Sequence, residues 1–172
     1  MQEMVSLAEF VKRGGVYYNV GGGNPVDALA ETARTVVLPK GVDRDALLQA
    51  VLEREALMPT AIGHGIAIPH PRNPLLEDEA AQRVFVVFLK TPVAYNALDR
   101  KPVSTLFLIL SAGARTHLGI LAEIAHLSQR PDFLELLARR PSTQELIAFI
   151  SAIEASWTAG KNPWAASSGM SY

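Results

Sequence analysis

The chain has 172 residues, 49% hydrophobic and 19% charged, which fits one globular domain with room for a sizeable core. Its net charge of −1, with acids and bases intermixed, gives no electrostatic case for nucleic acid or an anionic membrane. Cysteine is absent, which excludes disulfides, thiolate metal ligands and cysteine nucleophiles.

In chain order, the amphipathic start MQEMVSLAEFVKRGG holds a short helix, LAEFVKR, and lacks the basic head and apolar run of a signal peptide. VYYNV (16–20) reads as a short strand closed by three glycines. Asn24 is placed to cap a helix that starts with Pro25 and runs through PVDALAETARTVV to a stop at Pro39. Asp43 caps the next, RDALLQAVLEREALM, whose Leu47, Leu48, Val51 and Leu52 share a side. Three β-like runs come next: GIAIP (65–69), RVFVVFLK (83–90) and STLFLIL (104–110), with TPVAYNALDRKP as the loop between the last two. The glycine-containing exit SAGART leads into a helix, HLGILAEIAHLSQ, ended before Pro131, with Thr116 as its N-cap. Two more helices are expected near 132–139 and 142–156, the second opened by a Ser142–Glu145 capping box.

The two strongest strands are apolar at nearly every position, so both sheet faces must be covered. The expected fold is therefore α/β: one layered domain over 5–156, a mixed β-sheet with helices on both faces. Residues 157–172 read as a flexible tail, with Trp157 and Trp164 as the side chains able to dock on the body. VFVVFL and LFLIL fall far short of the ~20 residues that span a bilayer, so no membrane insertion is expected and the cytoplasm is the expected compartment.

The four histidines sort by geometry. His64 and His70 stand ~20 Å apart on an extended strand, too far to share a metal. His117 and His126 face opposite sides of their helix, and no histidine pair has an i,i+4 spacing that would favour zinc. No metal or cofactor is expected. His70 ends a strand between Pro69 and Pro71, which restrict the backbone on both sides. A neutral imidazole there is a competent nucleophile towards phosphorus. His117 sits in the first turn of a helix, where backbone N–H groups favour an anion. Arg54 continues the apolar stripe of its helix, and its planar fork suits a phosphoryl group. Each residue has a plainer account taken singly: a hydrogen-bonded strand-end histidine, a surface histidine, a guanidinium that snorkels to water.

LEREALMPTAIGHGIAIPHPR resembles the active-site segment of the EIIA domains of the bacterial phosphotransferase system, fructose/mannitol class, which includes the nitrogen-type regulators. The features that carry the resemblance are Arg54-Glu55 at a helix end, the Gly63-His64-Gly65 turn, Ile66-Ala67-Ile68 and Pro69-His70. The resemblance continues to His117 and covers about residues 5–154. It implies that His70 takes a phosphoryl group on Nε2, that His117 contacts the phosphoryl oxygens and that Arg54 offsets their charge. It also implies an HPr-like phosphocarrier as donor, and an EIIB domain or a regulated target protein as the next partner. His64 occupies a variable turn position and receives no role. Many members have Gly after the active histidine, whereas Pro71 and Arg72 here remove a backbone N–H and add a cation.

The wording GIAIPH and the spacing of His70 and His117 look more like the nitrogen-type regulators, with sugar-specific EIIA as the alternative. The remoter readings are an acid–base lyase or hydrolase working through both histidines, and a binding module without transfer.

Overall fold

The computed structural model describes residues 6–157. The expected tail from residue 158 onward, with Trp164, lies outside the described residues. Among them the element order is α1 (Leu7–Gly14), β1 (Val16–Val20), α2 (Pro25–Thr35), α3 (Arg44–Leu57), β2 (Ala61–Gly63), β3 (Ile66–Ala67), β4 (Arg83–Val93), β5 (Val103–Leu110), α4 (Ala114–Leu127), α5 (Pro131–Ala138) and α6 (Thr143–Ser156), with a short 3-10 turn at Glu79–Ala81.

The strands form one mixed sheet in the order β1-β4-β5-β3-β2. β4 pairs antiparallel with β5, while β1 runs parallel to β4 and β3 parallel to β5. Alternate side chains on the central strands serve opposite faces. Val84, Val86, Phe88, Phe107 and Ile109 meet α1, α4, α5 and α6, whereas Phe85, Val87, Leu89, Leu106 and Leu108 meet α2 and α3. Both faces are thus covered, as the unbroken apolar runs require. Each fully buried Phe or Leu contributes roughly 1.5–3 kcal/mol.

Asn24, Asp43 and Ser142 are N-caps, their side chains accepting from the backbone N–H groups of Asp27, Ala46 and Glu145. Several expected boundaries move. The run 91–102 is not all loop, because β4 continues to Val93, opposite Val103. A three-residue strand, β2, adds to the expected elements; it pairs with β3 through the tight Gly63–Gly65 turn, whose three residues all have positive φ. The expected strand over 65–69 is paired as β3 only at Ile66–Ala67. Pro69 has no N–H to donate, so regular pairing stops beside it. Helix α4 starts at Ala114 with Gly113 as N-cap, not at His117 after Thr116.

Trp157 comes directly after α6 and is buried, its ring 5.3 Å from that of His126. On the same side, the Glu154 carboxylate accepts from the backbone N–H groups of Leu7 (3.0 Å) and Ala8 (3.3 Å), and Glu123 accepts from Leu7 (3.4 Å). These bonds seat the start of α1 against α4 and α6.

Candidate functional site

His70 is held by a segment with little ladder pairing and several specific backbone bonds. Ile68 N–H donates to the Thr60 carbonyl (3.0 Å), and Ile109 N–H of β5 donates to the Pro69 carbonyl (3.0 Å). Beyond the histidine, Arg72 N–H donates to the Ala50 carbonyl of α3 (3.1 Å). The chain is thus strapped from β5 across to α3, with Pro71 fixing φ between the straps. The end of α3 is locked in turn: both oxygens of Glu55 accept from Thr60, one from its N–H (2.8 Å) and one from its hydroxyl (2.7 Å).

The Nδ1 of His70 lies 2.8 Å from the Ile68 carbonyl oxygen. A carbonyl only accepts, so Nδ1 carries the proton and Nε2 keeps the lone pair. This orienting partner was not legible in the sequence, which showed no carboxylate placed for the task. The only signal was a histidine two residues after an apolar strand end, and many such histidines make no bond to that carbonyl.

His117 comes to the same place from α4, its ring centroid 4.4 Å from that of His70 with planes inclined at 58°. Because α4 starts earlier than expected, the His117 N–H is already paired with the Gly113 carbonyl (3.2 Å). The uncommitted donors belong to the turn before it, and Gly113 supplies no side-chain cap. His126, on the other side of α4, takes no part. Arg54 also reaches the site. One of its guanidinium nitrogens donates to the Met58 carbonyl (2.8 Å). His64 lies elsewhere, exposed on the β2–β3 turn with its N–H on the Asp99 carboxylate (2.8 Å).

These groups line a hollow of about 210 Å³, walled by Arg54, His70, Arg72, Ser111, Gly113 and His117 among others. A second hollow of about 170 Å³ shares Arg54 and His70 and is otherwise mostly apolar, with Pro59, Ile62 and Leu121. Met58 and Leu118, chain neighbours of these wall residues, are 65% and 64% exposed, and Leu57 before them is 62% exposed. His70 therefore stands between a cationic hollow and an apolar one.

Both imidazoles are disposed to be neutral. Burial lowers the proton affinity of His70, partly opposed by its bond to the Ile68 carbonyl; the Arg54 charge lowers it further and Glu55 raises it. Burial, then His70 and Arg54, push His117 down to about 4. Among the described residues no group of three or more His, Asp or Glu side chains could hold a metal ion. The arrangement offers a nitrogen lone pair beside a small, donor-rich space for an anion.

A family model described as "Phosphoenolpyruvate-dependent sugar phosphotransferase system, EIIA 2" matches residues 9–153. The chain belongs to this EIIA family. The nitrogen regulatory protein of Pseudomonas aeruginosa is 32% identical over 155 residues, covering 88% of this chain and 98% of that protein. A fructose-specific EIIA component of Haloferax volcanii is 37% identical over 106 residues, 59% of this chain and 66% of that one. The fold is that of the nitrogen regulatory protein IIA-Ntr of Neisseria meningitidis, with a TM-score of 0.66 at 22% identity over 86% of this chain and 97% of that one. The mixed sheet with helices on both faces is thus an EIIA fold. No described helix is long and apolar enough to cross a membrane.

Proposed function

We propose that this EIIA chain accepts a phosphoryl group on Nε2 of His70 from an HPr-like phosphocarrier and acts as a nitrogen-type regulator. The observation that carries the reading is the Nδ1 bond to the Ile68 carbonyl: it presents Nε2, unprotonated, beside His117 and Arg54.

The step asks for positioning and charge compensation more than covalent work. The Nε2 lone pair forms the new N–P bond as the donor's N–P bond breaks. The donor ring, protonated on its other nitrogen, leaves as a neutral imidazole. The His70 ring becomes a phosphoimidazolium that keeps its Nδ1 proton on the Ile68 carbonyl. Arg54 and the free N–H groups at the start of α4 meet the phosphoryl oxygens, with His117 as a further contact. The apolar hollow and the exposed Leu57, Met58 and Leu118 suit a carrier that docks through apolar contacts around its own phosphohistidine.

Incubation with a phosphorylated HPr-like carrier, followed by mass spectrometry at alkaline pH, tests this. One acid-labile phosphoryl on the wild type and none on His70→Ala supports it; a label that survives His70→Ala sinks it. The relationship to the Pseudomonas nitrogen regulatory protein over nearly its full length favours the regulatory branch. The fructose-specific relative keeps a second reading, transfer onward to an EIIB domain. Capture of partners by the phosphorylated and unphosphorylated chain separates the two. A phosphorylation-dependent target other than an EIIB domain supports regulation, and transfer of the label to an EIIB domain supports sugar uptake.

A further inference from the structure

Arg72 stands on the wall of the same hollow as Arg54, His70 and His117. The backbone around it is tied at several points. Pro71 precedes it, Pro74 comes two residues later, and its own N–H is held by the Ala50 carbonyl at 3.1 Å. Most arginines of the molecule are committed: Arg44 to the carbonyls of Ala33, Arg34 and Val36, Arg83 to Ala81, Arg140 to Leu89, Arg130 to Asp132, Arg34 to Glu31, and Arg13 to Gln82 and Glu9. Among the described residues the Arg72 guanidinium has no such partner, and of the arginines in that condition it is the one that lines this hollow.

A donor is also missing at this point. Pro71 carries no N–H, so the residue directly after His70 offers no backbone donor to an anion on Nε2. A guanidinium presents several donors in a planar fork that fits phosphoryl oxygens. The two arginines differ in what they act on. The charge of Arg54 bears on both imidazoles, whereas that of Arg72 does not figure among the charges acting on either ring. Both arginines line the hollow, and Arg72 does so from an exposed position.

We infer that Arg72 is a second cation of the hollow, closing on the non-bridging oxygens of a phosphoryl group carried by His70 in place of the backbone donor that Pro71 removes. The inference rests on the reading of His70 as a phosphoryl acceptor. Arg72 acts on the loaded state and leaves the empty imidazole alone, which separates it from Arg54.

The test uses the full chain and its Arg72→Ala, Arg72→Lys, Arg54→Ala and Arg139→Ala variants, the last removing an exposed charge outside the hollow. Two equilibria are measured: binding of inorganic phosphate, followed by imidazole NMR, and the fraction of His70 phosphorylated at a fixed ratio of phosphorylated to free carrier. Arg72→Ala is expected to weaken phosphate binding and lower the transfer equilibrium constant by about five- to tenfold, the scale of one partly solvated charge-assisted bond. Its His70 titration without phosphate should match wild type, while Arg54→Ala raises that midpoint. Arg72→Lys should recover part of the loss, and Arg139→Ala should show none. Equal phosphate binding and transfer equilibrium in Arg72→Ala and wild type overturn the inference. So does an equal loss in Arg139→Ala, which would be an effect of net charge. A shift of the His70 midpoint in Arg72→Ala overturns it too, by placing Arg72 on the ring. If wild type takes no label, the acceptor reading fails on its own, and the phosphate titration still decides whether Arg72 holds an anion.

Discussion

The β4–β5 pair and the β3–Pro74 segment lie side by side in one sheet and are built on opposite plans. β4 and β5 are long and regularly paired, with side chains buried on both faces. β3 is two residues long, and the chain beyond it is held by single bonds from Ile109 and Arg72, by prolines, and by one ring-to-carbonyl bond. The first plan tolerates no water and needs no particular chemistry. The second fixes an imidazole nitrogen in direction and protonation while leaving it open to a partner. Stability should reside in one region and chemistry in the other.

The widest separation is expected from His70→Ala. It should remove all phosphoryl acceptance with little change in unfolding temperature, because the ring lines the wall of a hollow and is not part of the apolar core. Phe107→Ala should do the reverse: Phe107 is fully buried, and its truncation should cost about 3–5 kcal/mol in denaturant titrations. Transfer by the fraction still folded should be unchanged. A Phe107 variant that folds and fails to accept would break the comparison.

His117→Ala should lower the acceptance rate on the order of 10²-fold, the usual size of one lost oxygen contact in a preorganised site. It also tests a pH effect. The folded His117 titrates near 4, below its ordinary 6.5, so the unfolded chain takes up the proton first. Stability should therefore fall as pH drops from 6.5 towards 4. The variant should flatten that part of the profile, read from melting temperature against pH.

The smallest effect on transfer should come from far outside the site. Burial, and a hydrogen bond to Glu154, push the Glu123 carboxyl up to about 9. The folded protein keeps that proton while the unfolded chain loses it above 4.5, so this group lowers stability as pH rises towards 9. Glu123→Gln keeps a neutral side chain of the same shape. It should reduce the loss of stability between pH 4.5 and about 9 and leave transfer untouched.

The same division explains what could be read in advance. Apolar runs announce β4 and β5 because burial on both faces leaves a pattern along the chain, and Asn24, Asp43 and Ser142 announce helix starts because their side chains do the capping. His70, His117 and Arg54 were legible through a resemblance, since nothing in their spacing says that they meet. The Ile68 carbonyl, the pairing of Ala50 with Arg72 and the early start of α4 at Ala114 were not legible. They depend on backbone atoms, which every residue carries alike.

Helix α4 begins at the hollow without a side-chain cap, whereas α1, α2, α3 and α6 are each closed by one. Its opening turn should therefore fray when the hollow is empty and tighten when an anion occupies it. Amide hydrogen exchange at Ala114 to Thr116 would then report whether the protein is charged or spent. Exposed Leu118 rides on the next turn, so a docking protein could sense that difference in stiffness without touching the phosphorus.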